Sequence, residues 1–395
     1  MKKATREHTK DHNLRLVLKL IYDQDRISRA EIARITKLTP TTVSGLVEEL
    51  MAQGLVREVG QTRFSVGKPP TLLSLDKNAR QIIGLDLGND ELRGVVTNLR
   101  GEIVFQDVLK LEGRRGEQAV DQVFQLVERI LRAVDRPLLG IGIGAPGIIE
   151  ENTRLVRGAI NPDWWDLPLG DMLEERFHQP VLMVNDSRAA VLGEYTFGSA
   201  RNISDLVLIK VADGISAGIL LGGELYYGFI SGAGEIGHVT VAPEGELCRC
   251  GHRGCLEAMA SRGAILRRAQ RAAQQHPESL LNRMVVHPAE IEIETILRAF
   301  YDGDEQANEL ITQVGEYLGI AAAFIIGLLN VPRIVIAGSV SLLGEPLVKS
   351  IREKMNRYSI ELISEQTEVV ISSLGPDIVT LGAATLLMRD KLGLF

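Results

Sequence analysis

Apolar residues at Leu14, Val17, Leu18 and Ile21 recur at helical spacing and predict a helix over Asn13–Tyr22. Ser28-Arg-Ala-Glu31 has the form of a capping box, in which a serine caps and a glutamate reaches back. It opens a short helix, Arg29 to Thr36, with Ile32, Ala33 and Ile35 expected to face inward. After a break at Lys37-Leu38, Thr39 is placed to cap a second helix. Pro40 then stands at its first position, where a missing N–H costs nothing. Val43, Leu46, Val47 and Leu50 give that helix its apolar face. Past Gly54 the pattern switches to alternation. Leu55–Val59 reads as a strand, Thr71–Leu75 as a returning strand, and the Gly- and Pro-bearing segment 60–70 between them as a wing.

From residue 81 the chain alternates strands with helical stretches. Gln81–Gly88 is a strand ending in an Asp–Gly turn, followed by strands at Leu92–Asn98 and Glu102–Gln106. The same unit recurs about 120 residues on: Asp205–Val211 runs into Asp213-Gly214, then Ala217–Leu221 and Glu224–Tyr227. A repeated strand–turn–strand unit followed by helices indicates an internal duplication. Helices are expected over 117–133, 187–196, 255–275, 305–329 and 377–391, and buried strands over Leu138–Gly144, Val181–Val184 and Arg333–Ala337. Such alternation predicts an α/β body of two related lobes, with a ligand cleft between them. The expected domains are 1–75, 80–195 and 196–376, with the C-terminal helix, 377–395, packing back on the first lobe.

Composition adds little: 45% hydrophobic and 24% charged residues are ordinary for a globular chain. No run approaches the roughly 20 apolar residues needed to span a bilayer. The N-terminus has no apolar core, so a cytoplasmic protein with reduced thiols is expected. Charge is more informative. The net −7 divides into +6 over residues 1–80 and −13 over the rest. A basic head that reads as helix–turn–helix and wing is expected to meet double-stranded operator DNA. The hydroxyls of Thr39, Thr41, Thr42 and Ser44 at the front of the second helix suit phosphates or base edges, and Arg63 and Lys68 in the wing suit a minor groove or phosphates. Two-fold operators imply a homodimer or a dimer of dimers.

All three cysteines lie within eight positions, in Cys248-Arg-Cys250-Gly-His-Arg-Gly-Cys255. Thiols this close among glycines read as a metal knuckle. Zinc takes four tetrahedral thiolate and imidazole ligands, so one more is needed. His252 inside the knuckle and His238 upstream both qualify.

Gly232-Ala-Gly-Glu235-Ile-Gly-His238 followed by the knuckle and Leu256-Glu257 resembles the signature of the ROK family (repressors, open reading frames, kinases). Val184-Asn185-Asp186-Ser-Arg-Ala-Ala-Val-Leu-Gly-Glu194 resembles its sugar and catalytic-base motif. The resemblance spans about 80–395, and an N-terminal winged helix-turn-helix is typical of the repressor branch. It implies a two-lobed actin-like body of the sugar-kinase, ribonuclease H-like type. It assigns His238, Cys248, Cys250 and Cys255 to zinc, favouring His238 over His252, and an oligomerisation surface to the second lobe. It places Asn185, Asp186, Glu235, His238 and Glu257 around a sugar, joined by Asn161 of Asn161-Pro-Asp-Trp-Trp-Asp. Carboxylates and amides of this kind hydrogen-bond vicinal hydroxyls. The kinase pattern breaks at both phosphate turns. Asp86-Leu-Gly88-Asn89-Asp90 stands where the family has Asp-x-Gly-Gly-Thr, and Ala212-Asp213-Gly214 where it has Gly-Thr-Gly. Acidic Asp90 and Asp213 would face polyphosphate with like charge, leaving Asp186 a degenerate base without a well-held donor. Ile336-Ala-Gly338-Ser still resembles an adenosine-side turn. The expectation is a sugar-responsive transcriptional regulator, a repressor of carbohydrate genes with no catalytic residues. The alternative is an active ATP-dependent sugar kinase carrying a DNA-binding domain.

Overall fold

A computed structural model describes residues 6–61, 70–201 and 203–395. The head comprises α1 (Arg6–Gln24), β1 (Ile27–Ser28), α2 (Arg29–Thr36), α3 (Pro40–Ala52), β2 (Val56–Gln61) and β3 (Thr71–Leu75). Its core is Val17, Leu18, Ile21, Ile32, Val43, Leu46, Val47 and Leu50, the positions the spacing selects, with Ile27 and Leu73 added from the strands. Ser28 Oγ accepts from Glu31 N at 3.2 Å, and Thr39 caps α3 by accepting from Thr42 N at 3.2 Å. Lys37 makes the turn between them in the left-handed region, φ 59°. Ile35 does not face inward; it is 45% exposed, on the outer side of a helix only two turns long. The three short strands pair in the order β1-β3-β2, all antiparallel. The wing residues Arg63 and Lys68 lie outside the described residues.

Next come β4 (Gln81–Leu87), β5 (Glu91–Asn98), β6 (Ile103–Lys110), α4 (Gly116–Leu131), β7 (Leu138–Ala145), β8 (Ile148–Glu150), β9 (Leu155–Ala159), β10 (Trp164–Leu167), α5 (Leu169–Phe177), β11 (Val181–Asn185) and α6 (Asp186–Phe197). After them come β12 (Leu206–Val211), β13 (Ile215–Leu221), β14 (Glu224–Leu225), α7 (Leu256–Ala260), α8 (Arg262–Gln275), α9 (Leu280–Arg283), α10 (Ile293–Tyr301), α11 (Glu305–Leu329), β15 (Arg333–Ala337), α12 (Gly344–Tyr358), α13 (Glu361–Ser364), β16 (Glu368–Ile371) and α14 (Ile378–Leu392).

The duplication appears in the sheets. One has the order β11-β7-β4-β5-β6, the other β16-β15-β12-β13-β14. In each, the founding strand (β4, β12) pairs antiparallel with the strand after it and parallel with a later one (β7, β15). The two sheets thus share one topology, with glycines at the close approaches. A Cβ on Gly142 would lie 1.9 Å from Ala383 O in the first sheet's surroundings, and one on Gly218 would lie 2.1 Å from Ser187 O in the second's.

The chain clusters into two compact units. One is Met1–Ala145, Glu151–Met183 and Ala383–Phe395, and the other is Pro146–Glu150 and Val184–Gly382. Two expectations need correction. The stretch 255–275 is two helices, α7 and α8, because Ser261 adopts an extended conformation and accepts from Ala264 N as a new cap. And one helix, α11, is long and apolar enough by length and composition to cross a membrane. It is a core helix here, packed on α12 with Leu310, Val314, Leu318 and Ala322 buried.

Candidate functional site

The knuckle is built by backbone geometry. Cys248 N donates to His252 O at 2.8 Å and Gly251 N to Cys248 O at 3.0 Å, closing a tight turn around Cys250. Gly254 follows at φ 68°, and a Cβ there would lie 1.5 Å from Ala242 O, so no other residue fits. A bridge between Thr240 and Cys255 brings the segment after His238 alongside the last thiol. His238 itself ends a 3-10 turn, Ile236–His238.

His238, Cys248, Cys250 and Cys255 each offer one ligand atom, and the four atoms lie within 4.8 Å of one another. Cys250 and Cys255 sulfurs are 3.6 Å apart, and Cys248 Sγ is 3.7 Å from His238 Nδ1. Tetrahedral bonds of about 2.0–2.3 Å give ligand separations of this order. The cluster could hold a metal ion, and it contains His238. His252 Nδ1 instead approaches Cys250 alone, at 3.6 Å. Hydrogen bonds from the His252 backbone and ring draw the Cys250 thiol down to about 6, so it is a ready thiolate. Burial, with the neighbouring Cys250 and Cys248 sulfurs, pushes Cys255 up to about 12, and burial raises Cys248 as well. Without a cation these two thiols would stay protonated; a metal displaces their protons on binding.

Beside the knuckle, also in the second unit, is a cluster of charged side chains. Asn185 caps α6, accepting from Ser187 N at 3.0 Å while its amide donates to Gly147 O at 2.9 Å. Asp186 follows at the first helical position. Its Oδ1 accepts from Ser187 N at 2.7 Å, and its Oδ2 takes the Lys210 ammonium at 2.6 Å. Glu257, in the first turn of α7, accepts from Arg249 Nε at 2.9 Å and from Ile215 N at 3.0 Å. Glu235 lies within range of the charges of His238, Asp186, Arg188 and Glu257. Its pKa is raised above the ordinary carboxylate range, chiefly by burial. Arg188 is 2% exposed and donates to the carbonyls of Tyr227, Ser231 and Ala233, which fixes the loop leading into Glu235. Asn185, Asp186, Glu235, His238 and Glu257 therefore share one unit. Asn161 belongs to the other, between β9 and β10.

Three cations were missed in the sequence: Arg188, Lys210 and Arg249. A signal existed for Lys210, the one charge in the otherwise apolar β12, a central strand. Arg188 and Arg249 sit inside motifs read for their acids and thiols.

The turn at 212–214, read from the resemblance as the second phosphate turn, makes contacts with the protein's own groups. Ile215 N donates to Glu257, Ala212 N to Gly214 O, and Asp213 lies 3.8 Å from Arg262, which also binds Glu292. In the head, Thr39 and Thr42 hydroxyls are 2.8 Å apart and serve the cap. Thr39, Thr41 and Thr42 are exposed, Ser44 half-buried.

A sheet topology duplicated in this way, a winged-helix head and a Cys₃His cluster beside an acidic site define a DNA-binding relative of the sugar-kinase fold. Residues 82–390 match the ROK family profile and residues 10–57 a winged helix-turn-helix DNA-binding profile; the chain belongs to the ROK family. A xylose repressor of Caldicellulosiruptor bescii is 33% identical over 389 residues, covering 97% of each chain. Among solved structures, a ROK family transcriptional regulator, a homologue of the E. coli MLC protein, superposes with TM-score 0.85 at 29% identity, covering 98% of this chain and 97% of its own. A ROK family glucokinase from Streptomyces griseus, in complex with glucose and AMPPNP, gives TM-score 0.71 at 31% identity, covering 78% of this chain and 98% of its own. The glucokinase covers the smaller share of the chain, and the xylose repressor and the transcriptional regulator named above each match nearly all of it. The chain is a transcriptional regulator of this family rather than one of its kinases.

Proposed function

We propose that this chain is a sugar-responsive repressor, acting as a homodimer or a dimer of dimers on palindromic operators of carbohydrate genes. Residues 1–75 bind operator DNA, with Thr41 and Ser44 reading base edges, Thr39 and Thr42 shaping the front of α3, and Arg63 and Lys68 meeting the backbone. Residues 80–195 and 196–376 form the two lobes. A neutral sugar binds Asn161, Asn185, Asp186, Glu235, His238 and Glu257, and zinc held by His238, Cys248, Cys250 and Cys255 shapes the site. Nitrogen and sulfur donors in a four-membered set are what zinc prefers, and they favour it over magnesium or calcium.

The observation that carries the reading is the cluster itself. Asp186, Glu235 and Glu257 are gathered beside the Cys₃His set, and at the turn that would hold a phosphoryl donor the Ile215 amide is spent on Glu257. The xylose repressor's name supports the ligand class. Sugar acts by binding two states with different affinity, which changes operator occupancy.

The test is a thermal-shift panel of neutral aldoses, D-xylose and D-glucose included, followed by operator binding with each hit. A binder of the folded state raises the melting temperature by mass action. The expected result is one sugar that both stabilises the protein and changes operator affinity. No stabilisation by any neutral sugar, or stabilisation without a change at the operator, would overturn the reading.

A further inference from the structure

Lys210 is anomalous for its position. Strand β12 lies between β13 and β15, and its other residues, Leu206, Val207, Leu208, Ile209 and Val211, are all fully buried. Lys210 opposes Ser216 on one side and Ala337 on the other. A lysine in a central strand is tolerated only if its charge is matched. Here the match is Asp186, and both side chains are 15% exposed.

Two consequences follow for the acidic cluster. First, the carboxylate that stands at the base position of the sugar-kinase pattern is held in an ion pair with one oxygen occupied. It is held in place as an acceptor, with its second oxygen on the Ser187 amide. Second, each acid of the cluster has a cation near it. Asp186 pairs with Lys210, Glu257 with Arg249, and Glu235 lies in the field of Arg188. Every one of these cations is engaged: Lys210 and Arg249 by carboxylates, Arg188 by three carbonyls and the face of Tyr227. Among the described residues, the cluster thus offers carboxylate acceptors for hydroxyls, and each of its three cations already has a partner.

We propose that Lys210 is a specificity-determining residue of the effector site: it positions Asp186 as an acceptor for an effector hydroxyl, in a site whose cations are already engaged, so that the site takes a neutral sugar and rejects a phosphorylated one. The inference rests on the sugar-site reading above and adds a residue and a ligand class to it.

Calorimetric titration of the zinc-loaded full chain with D-xylose, D-glucose and glucose 6-phosphate tests it. The wild type binds a neutral sugar and binds glucose 6-phosphate at least tenfold more weakly. Lys210→Met loses about tenfold or more in affinity for the neutral sugar, the scale of one charge-assisted hydrogen bond. Its zinc content and sugar-free operator affinity stay unchanged, and Lys210→Arg recovers part of the loss. Because Lys210→Met leaves Asp186 unmatched, the double variant Asp186→Asn, Lys210→Met, which removes both charges, guards against simple misfolding; it too loses the sugar. Wild-type affinity in Lys210→Met or in the double variant would overturn the proposal, as would glucose 6-phosphate binding more tightly than glucose. If Asp186→Ala abolishes binding while Lys210→Met does not, Lys210 has no such role and the site reading survives. If Asp186→Ala also leaves binding intact, the site reading itself fails.

Discussion

The chemistry of single residues decides what the knuckle and the acidic site can do. Cys250 is exposed and already acidic, whereas Cys255 is buried and its proton is held tightly. Cys250 should therefore capture a metal first and Cys255 commit it. Cys250→Ala is expected to lose the metal, measured as metal per chain in the purified protein. It should also weaken sugar binding, because Glu257 lies two residues past Cys255 and is bonded to Arg249 between Cys248 and Cys250. Full occupancy in this variant would contradict the ligand set. Glu235 gives a pH prediction with a definite sign. Burial raises its pKa in the folded chain, so the folded state holds the proton more tightly than the unfolded one. That contribution to stability is complete below the unfolded carboxylate value, and it is lost as pH rises through the folded value. Glu235→Gln keeps the shape without the charge. Its melting temperature should gain on the wild type as pH is raised from below to well above the ordinary carboxylate value, and an equal difference at both pH values would be evidence against the raised carboxyl.

Among the elements, those set by local period and punctuation were the most legible. The spacing of Val43, Leu46, Val47 and Leu50, and the Ser28 and Thr39 caps, placed the two helices of the head because each signal is local. Arg333–Ala337 was legible for the same reason, as a short apolar run between polar breaks. What failed was non-local or two-edged. Ser261 reads as an ordinary helical residue until its extended backbone is seen. Ile35 reads as core until the helix proves too short to bury three apolar rows. Lys210 gained a role only when the sheet brought α6 over β12. The tail of the C-terminal helix adds a contact that local pattern does not signal. Its last residues, beyond α14, turn through Gly393 at φ 64° and pack on α1: Phe395 meets Tyr22 edge-on with ring centroids 5.0 Å apart, and Leu394 is fully buried. A Cβ on Gly393 would lie 2.6 Å from the Arg15 side chain. Leu394→Ala should cost about 2–5 kcal/mol where it packs. Hydrogen exchange in α1 should speed up accordingly, and unchanged protection there would mean that the tail is ornamental to the head.

For the molecule as a whole, the question is why a kinase-like fold should regulate instead of react. Phosphoryl transfer depends on positioning a phosphoryl donor and neutralising its charge. In this chain the turn Ala212–Ile215 does neither. Its Ile215 amide is spent on Glu257, its Asp213 carboxylate presents like charge, and the nearby Arg262 is divided between Asp213 and Glu292. Asp186, the degenerate base, is tied to Lys210. If Asp186 stays paired and the turn takes no phosphoryl donor, binding energy from a sugar is not consumed in a reaction and remains available to shift the protein between states of different operator affinity. The purified protein, given ATP, magnesium and the sugar that stabilises it best, should show no sugar-dependent ATP hydrolysis above a no-protein control. The same sugar should still change operator binding in the complete absence of nucleotide. Sugar phosphate formation that disappears in Asp186→Asn would reverse this assignment. It would show that the acidic turn holds a phosphoryl donor in spite of its charge, and that Lys210 releases Asp186 when substrate arrives.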